Sequence, residues 1–243
     1  MSATRPQGRP RPEPAPAQLP AKPSSRFERE AREAGYECVA GVDEVGRGCL
    51  FGPVVAAAVV LDPERPIRGL NDSKVLLSDN REAIAERIRE RAVAHAVAAV
   101  DSAWIDRLNI YQAARLAMER AVSSLPVKPD FLLIDAMRLE LPVAQRALIK
   151  GDARCRSIAA ASILAKVERD AWMRRWAEVY PEYGLERTKG YGTPDHLEAL
   201  RKHGVTPCHR LSFSPVAELA RFSGALPAEA GPRQIALFAE EPA

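Results

Sequence analysis

One run of small and β-branched apolar residues, VVAAAVVL at positions 54–61, constrains the fold of this chain more than any other feature. Valine favours strands, and no polar residue interrupts the run. A strand that is apolar on both faces must be covered on both sides, as in a sheet that lies between layers of helices. The run therefore predicts a buried strand inside a layered domain.

Other segments supply the remaining parts of such a domain. Further strands are predicted at 38–43, 92–100 and 131–135. Apolar residues at helical spacing predict four helices, which span 78–91, 110–122, 157–179 and 194–203. Strands come early in the chain and helices dominate later. This order predicts an α/β or α+β layered domain without internal repeats.

Composition limits the cellular setting and the class of protein. The two longest apolar runs, 54–61 and 92–100, are too short to cross a bilayer, and the N-terminus carries no apolar signal segment. The four cysteines form no CxxC pair, which indicates free thiols in a reducing compartment. We therefore expect a cytoplasmic protein. The formal net charge of +3 permits a polyanionic partner without requiring one.

The stretch GVDEVGRGCLFGP at 41–53 allows two interpretations. Gly46, Gly48 and Gly52 resemble a dinucleotide-binding turn, which needs a strand before the glycines and a helix after them. Here a second strand-like run follows, and no acid ends a second parallel strand at the expected place. A nucleotide-dependent oxidoreductase is therefore disfavoured.

The adjacent acids Asp43 and Glu44 favour the other interpretation, a metal site. Neighbouring residues of a regular strand point to opposite faces, so the two can share a site only under certain conditions. The strand could end or bulge at that point, which the following glycines would make easy, or Glu44 could contribute partly through its backbone. We expect the predicted strand to end at the acids.

Two further acids occur in matching contexts. Asp135 ends the short apolar run FLLID, and Asp152 precedes the longest predicted helix. Each of the four acids taken alone could be a capping or turn residue. Together they predict a site for Mg²⁺ or Mn²⁺, which prefer oxygen ligands. Two such ions, spaced for a bridging carboxylate, catalyse in-line displacement at phosphorus.

Seven sequence blocks then resemble a known family, ribonuclease HII. They are DEVGRG at 43–48, LNDSK at 70–74, LIDA at 133–136, KGD at 150–152, SIAAASILAKVERD at 157–170, KGYGT at 189–193 and HRLSF at 209–213. The resemblance covers about residues 41–216. It implies a ribonuclease H-like fold, with a mixed five-stranded sheet flanked by helices and a helical C-terminal segment.

The resemblance also implies an activity. It implies an endonuclease that hydrolyses the RNA strand of RNA–DNA hybrids, including a single ribonucleotide embedded in duplex DNA. The cut would lie 5′ of the ribonucleotide and leave a 3′-hydroxyl and a 5′-phosphate. Asp43, Glu44, Asp135 and Asp152 match the four acidic catalytic positions. The first three would be the principal ligands of two Mn²⁺ or Mg²⁺ ions, and Asp152 would complete the site.

The same resemblance assigns residues that read the substrate. Gly46, Arg47 and Gly48 would approach the 2′-hydroxyl, the sugar group that distinguishes RNA from DNA. Tyr191 would stack on the following deoxyribose, and Lys74 would neutralise a backbone phosphate. Both assignments keep an alternative: Tyr191 could be a partly buried turn residue, and Lys74 a solvated lysine.

Residues outside the matched blocks divide the chain. Residues 1–25 hold seven prolines, four Lys or Arg residues and one acid, which predicts a disordered Pro-rich basic tail. We expect the catalytic domain at 26–222 and a flexible C-terminal tail at 223–243. Within that tail the string QIALF resembles a bacterial sliding-clamp-binding peptide, with contacts from Gln234, Leu237 and Phe238. The alternative is an ordinary apolar terminus or a short docked helix.

Further expectations concern the alternative function and single side chains. The rival to an enzyme is a catalytically silent hybrid-binding module, which we would expect to lack at least one of the four acids. The family resemblance suggests a monomer. Arg169 on the long helix is predicted to lie on a solvated face. His196 and His209 are predicted to be packing or phosphate-side residues.

Overall fold

The computed structural model describes residues 22–71, 73 and 76–223. Five strands are present in these ranges: β1 (Val39–Val45), β2 (Val54–Val60), β3 (Ala94–Val100), β4 (Phe131–Asp135) and β5 (Ala144–Leu148). They form one sheet in the order β3-β2-β1-β4-β5. β2 is antiparallel to both of its neighbours, whereas β1, β4 and β5 are parallel to one another. The predicted mixed five-stranded sheet is confirmed.

Eight α-helices accompany the sheet in the described ranges. They are α1 (Arg26–Glu33), α2 (Ser78–Arg91), α3 (Ser102–Leu108), α4 (Ile110–Ser123), α5 (Arg156–Val179), α6 (Leu185–Thr188), α7 (Pro194–His203) and α8 (Ser214–Ser223). A 3₁₀ turn at Pro181–Tyr183 joins α5 to α6. None of the described helices is long and apolar enough to cross a membrane.

The apolar run that opened the sequence analysis forms β2, and all seven of its residues are buried. Alternate residues of β2 join different cores. Val54 and Ala56 pack with the apolar face of α4, whereas Val55 and Ala57 pack with α2 and α5. The sheet therefore lies between two helical layers, as the uninterrupted apolar run predicts.

The strand register brings the acidic ends of two strands together. Val42 of β1 pairs with Ile134 of the parallel strand β4, so Asp43 and Asp135 end at the same edge of the sheet. In contrast, β2 runs antiparallel and pairs Ala57 with Asp43. The loop between β1 and β2 therefore lies at this same edge.

The structure corrects several boundaries. β1 continues to Val45 with regular pairing, so the expectation that the strand ends at the acids is wrong. The pattern predicts α2, α7 and β4 with their observed bounds, but it missed α1, α3, β5 and α8. β5 carries no apolar run because it is an edge strand whose residues are largely exposed. The proposed limits of the two tails, at residues 25 and 223, lie within four residues of the ends of the described range and stay predictions.

Candidate active site

Four carboxylates meet where β1, β4 and the start of α5 come together. Asp43 and Glu44 lie on β1, and Asp135 is the last residue of β4. The Asp135 Oδ1 accepts a hydrogen bond of 2.6 Å from the Gly151 N–H, which fixes the turn that carries Asp152. This set of four side chains is the carboxylate cluster. The sequence predicted each member, and the structure brings them into electrostatic contact.

The side chains of Asp43 and Glu44 project from opposite faces of the continuous strand β1. Gly41, two residues before Asp43, lies so close to α5 that an added Cβ would be 2.1 Å from the Ser157 carbonyl carbon. Asp43 accordingly faces α5 and accepts a hydrogen bond from Ser162. Glu44 shares the face of Val42 and forms an ion pair of 3.2 Å with Arg47. The two acids therefore project from opposite faces of β1, so the strand neither ends nor bulges between them, and their charges interact across the strand.

Burial and mutual repulsion oppose the ionisation of these acids. Burial raises the pKa of Asp43 well above its usual range, and repulsion from Glu44, Asp135 and Asp152 raises it further. Burial also raises the pKa of Glu44, although the nearby Arg47 partly offsets the effect. Such a cluster is stabilised in its ionised form when a cation lies among the carboxylates.

The donor set fits a hard divalent cation. All four side chains offer carboxylate oxygens, and the buried Oε2 of Glu44 has no hydrogen-bond partner. In the described part of the chain, no three Asp, Glu, His or Cys side chains already surround one point at metal-ligand spacing. Because carboxylates repel one another, we expect them to draw together only around a cation.

The loop after β1 holds the predicted substrate-reading residues, and we call residues 46–53 the glycine loop. Arg169 of α5 lies beneath it and is fully buried. Its guanidinium donates hydrogen bonds to the carbonyls of Phe51 at 3.1 Å, Pro53 at 3.2 Å and Lys189 at 2.8 Å. The prediction that Arg169 lies on a solvated helix face is therefore wrong.

A second buried arginine holds the same loop from the C-terminal side. Arg210 donates from Nε to the Gly52 carbonyl and from Nη1 to the Arg47 carbonyl, both at 2.9 Å. Its guanidinium also lies 5.2 Å from the centre of the Phe213 ring. Burial lowers the pKa of Arg210 to about 9, so the group stays charged at neutral pH. Two cations thus fix the backbone of the glycine loop.

Tyr191 lies beside the glycine loop. It forms an isolated β-bridge with Cys49, and a Cβ added to Gly48 would be 4.0 Å from its ring. The Tyr191 side chain is 41% exposed, and the Arg47 side chain is 45% exposed. The structure therefore brings Arg47, Gly48 and Tyr191 to one surface next to Glu44, whereas the predicted contact residue Gly46 is buried against Arg169.

Two neutral histidines support Tyr191 from below. The Thr206 N–H donates to the Nδ1 of His209 at 3.0 Å, so the proton of His209 is on Nε2. That Nε2 lies 3.2 Å from the Nε2 of His196, whose Nδ1–H then donates to the Tyr191 carbonyl at 2.9 Å. Burial lowers the pKa of His209 to about 3 and also lowers the pKa of His196. Both imidazoles therefore stay neutral at pH 7.

Sequence reasoning missed the supporting roles of four residues, which are Arg169, Arg210, His196 and His209. All four fall in or next to the blocks that resemble the family, which is the signal that could have marked them. Helical spacing could not do so, because it does not show which distant carbonyls a side chain meets. The remaining predicted contacts, from Lys74, Gln234, Leu237 and Phe238, lie outside the described residues.

Comparison with known proteins bears on this arrangement. The family model of ribonuclease HII matches residues 40–216, which is most of the chain. The chain belongs to the ribonuclease HII family. It is therefore an endoribonuclease of the ribonuclease H type 2 class, which acts on RNA–DNA hybrids, and the sequence-based assignment is confirmed.

Individual relatives agree with the family assignment. The ribonuclease HII of Solibacter usitatus is 63% identical over 196 residues, which is 81% of this chain and 86% of that protein. The ribonuclease H2 of Pyrococcus horikoshii has the same fold, with a TM-score of 0.66 and 28% identity over 78% of this chain and all of that one. The ribonuclease HII of Archaeoglobus fulgidus, solved in a complex with PCNA, gives a TM-score of 0.63 and 29% identity over 74% of this chain and 96% of that one.

Proposed function

We propose that this ribonuclease HII cleaves RNA–DNA hybrids and also single ribonucleotides embedded in duplex DNA. The cut lies 5′ of the ribonucleotide and leaves a 3′-hydroxyl and a 5′-phosphate. One observation carries the proposal: the carboxylate cluster adjoins a surface made of the glycine loop and the exposed ring of Tyr191.

The carboxylate cluster would hold two Mg²⁺ or Mn²⁺ ions. Asp43, Glu44 and Asp135 supply the principal ligands, with the unpartnered Oε2 of Glu44 as one of them. Asp152 completes the site from the turn before α5. When bound, the ions supply an acidified water and positive charge opposite the leaving 3′ oxygen. The protein contributes the carboxylate oxygens and the exclusion of water around Asp43.

The glycine loop would distinguish ribose from deoxyribose. Gly48 has no side chain, so its backbone can approach the 2′-hydroxyl closely. Arg169 and Arg210 hold that backbone rigid, which is what discrimination of one hydroxyl group requires. Tyr191 would stack on the following deoxyribose, and Lys74 would contact a phosphate.

Cleavage of a duplex with one ribonucleotide tests the proposal. We compare wild type with Asp43→Asn in Mg²⁺, in Mn²⁺ and in chelator, with Glu37→Gln as the control. Glu37 is exposed and lies two residues before the start of β1, whereas Asp43 lies near the end of that strand. We expect a metal-dependent cut 5′ of the ribonucleotide, a loss of about 10³-fold or more in Asp43→Asn and normal activity in Glu37→Gln. Tight binding without any cut in wild type would instead favour the silent binding module.

A sliding clamp is the proposed protein partner. The Archaeoglobus relative was solved in complex with PCNA, and the QIALF string supplies the anchors Gln234, Leu237 and Phe238. Removal of residues 230–243 should abolish co-elution with the clamp and leave cleavage of free duplex unchanged. Failure of the intact chain to bind the clamp would overturn this partner.

A further inference from the structure

Two adjoining cavities lie at the junction of α1, the segment after β2, α2 and the start of α5. The first, of about 280 Å³, is lined by Arg29, Arg32, Arg65 and Arg156, among others. The second, of about 600 Å³, shares Arg65 and adds Arg68, Arg87 and Arg91. We call the arginines of both cavities the arginine surface.

These guanidinium groups lack carboxylate partners. Among the described residues, no acid lies within ion-pair distance of any arginine of this surface. Some surface arginines elsewhere are paired, as in Arg146 with Glu30 and Arg174 with Glu82, whereas single arginines such as Arg120 and Arg175 have no such partner in the described part of the chain. Arg156 donates one hydrogen bond to the carbonyl of Ile67, and Arg91 donates one to the carbonyl of Pro66.

Three acids line the cavities, Glu28, Asp62 and the exposed Glu64, and in the described part of the chain none of them forms an ion pair with an arginine of this surface. Glu28 is buried, and its Oε1 accepts the Ser157 N–H at the start of α5. Asp62 accepts the Glu64 N–H within its own turn. Most of the guanidinium donors thus remain available to an anionic partner, and the group repels itself until such a partner binds.

The arginine surface lies close to the carboxylate cluster. Ala57 of β2 pairs with Asp43, and Val60, the last residue of β2, pairs with Ala40. The segment that follows β2 therefore begins three strand residues away from the position of Asp43 along the sheet. Three strand residues span about 10 Å. Arg156, the first residue of α5, follows Asp152 by four positions. A duplex that extends from the cluster toward the end of β2 would reach the surface.

We propose that the arginine surface binds the phosphate backbone of the substrate duplex, a few base pairs away from the point of cleavage. Phosphates are spaced along one strand by about 3.4 Å per base pair, and guanidinium groups bind them through paired N–H donors. The proposal rests on the proposed function, because it takes the same duplex as its ligand.

Paired charge-removing variants test the surface. Arg65→Gln/Arg68→Gln removes two exposed cations from it, and the control Arg120→Gln/Lys128→Gln removes two exposed cations on and after α4, on the other side of the sheet. Binding is measured in an Asp43→Asn background, which prevents cleavage. One duplex extends about four base pairs on each side of the ribonucleotide, and the other about twelve.

We expect Arg65→Gln/Arg68→Gln to weaken binding of the long duplex by on the order of tenfold, and to reduce the slope of log K against log salt by about 1.8. The short duplex and the control should be unaffected. Equal binding by both variants at both lengths, or an equal loss on the short duplex, would overturn the proposal. If wild type binds through the surface but cuts no substrate, the surface stands and the proposed function fails.

Discussion

The carboxylate cluster and the glycine loop meet at one edge of the sheet, and each gathers like charges inside the protein. At the loop the buried cations of Arg169 and Arg210 donate to carbonyls of four loop residues and of Lys189. At the cluster the acids repel one another, and the Oε2 of Glu44 has no hydrogen-bond partner. In the first region the fold supplies acceptors to the guanidinium groups, with only the Nη2 of Arg210 left without a partner among the described residues, whereas in the second the neighbouring side chains carry the same charge.

The difference suggests that the two arginines have a structural role, whereas the acids of the cluster have a functional one. A buried ion with protein acceptors around it fixes the backbone and requires no further partner. A group of buried acids that repel one another is stabilised only by something outside the chain, here a cation. Loss of a charge should therefore destabilise the loop, and at the cluster it should chiefly abolish cleavage.

Replacement of Arg169 should have the largest effect on stability. Arg169→Met keeps much of the volume but leaves the carbonyls of Phe51, Pro53 and Lys189 without their donors, and we expect a loss of about 3 kcal/mol or more. Arg175, exposed on the same helix, provides the control, and Arg175→Met should change stability by less than about 0.5 kcal/mol. Urea unfolding measures both. A loss below about 1 kcal/mol for Arg169→Met would show that the loop does not depend on this charge.

Two glycines of the loop should respond differently to the same substitution. Gly46 has a φ of +91°, and an added Cβ would lie 2.3 Å from the Arg169 Nε, so Gly46→Ala should cost about 2 kcal/mol. For Gly48 the nearest atom would be 4.0 Å away, so Gly48→Ala should leave stability within about 0.5 kcal/mol.

A cleavage assay then distinguishes a glycine needed for folding, Gly46, from one needed for contact with the substrate, Gly48. Because the Gly48 backbone is proposed to approach the sugar, Gly48→Ala should reduce cleavage at a single ribonucleotide while the protein unfolds normally. Single-turnover cleavage and urea unfolding are measured on the same preparations. Normal cleavage by Gly48→Ala would argue against close approach of the loop to the 2′-hydroxyl.

The smallest predicted effect is a pH dependence of the histidine pair beneath Tyr191. The pKa of His209 is about 3 in the folded protein and about 6.5 in an unfolded chain, so the unfolded state binds more protons between these values. Its contribution to stability is therefore complete above pH 6.5 and is lost as the pH falls toward 3. From pH 7.5 to 5.5 the loss should be about 1.4 kcal/mol.

His209→Gln should remove this part of the acid sensitivity, whereas the exposed control His203→Gln should retain it. Urea unfolding at both pH values gives the comparison. The carboxylate cluster acts in the opposite direction, since acids with a raised pKa are stabilised by acidification. An identical pH slope in wild type and His209→Gln would show that His209 is not held neutral by its surroundings.

The sequence alone determined the elements whose pattern is local. The apolar run of β2, the helical spacing of α2 and the proline and glycine at the ends of α7 each reflect contacts within a few residues. The four acids could likewise be identified from their positions at strand and helix ends. Local rules suffice for such features because period and capping depend on neighbours in the chain.

Only the tertiary structure decided which charges are buried. Arg169 follows the helical pattern of an exposed residue, yet it lies beneath carbonyls that are more than a hundred positions earlier in the chain. Two further features were also decided only by the tertiary structure. They are the hydrogen bonds that link His209 through His196 to the Tyr191 carbonyl, and the continuation of β1 past Asp43 and Glu44. The burial of a polar group depends on acceptors that only folding brings to it, so no local pattern can reveal it.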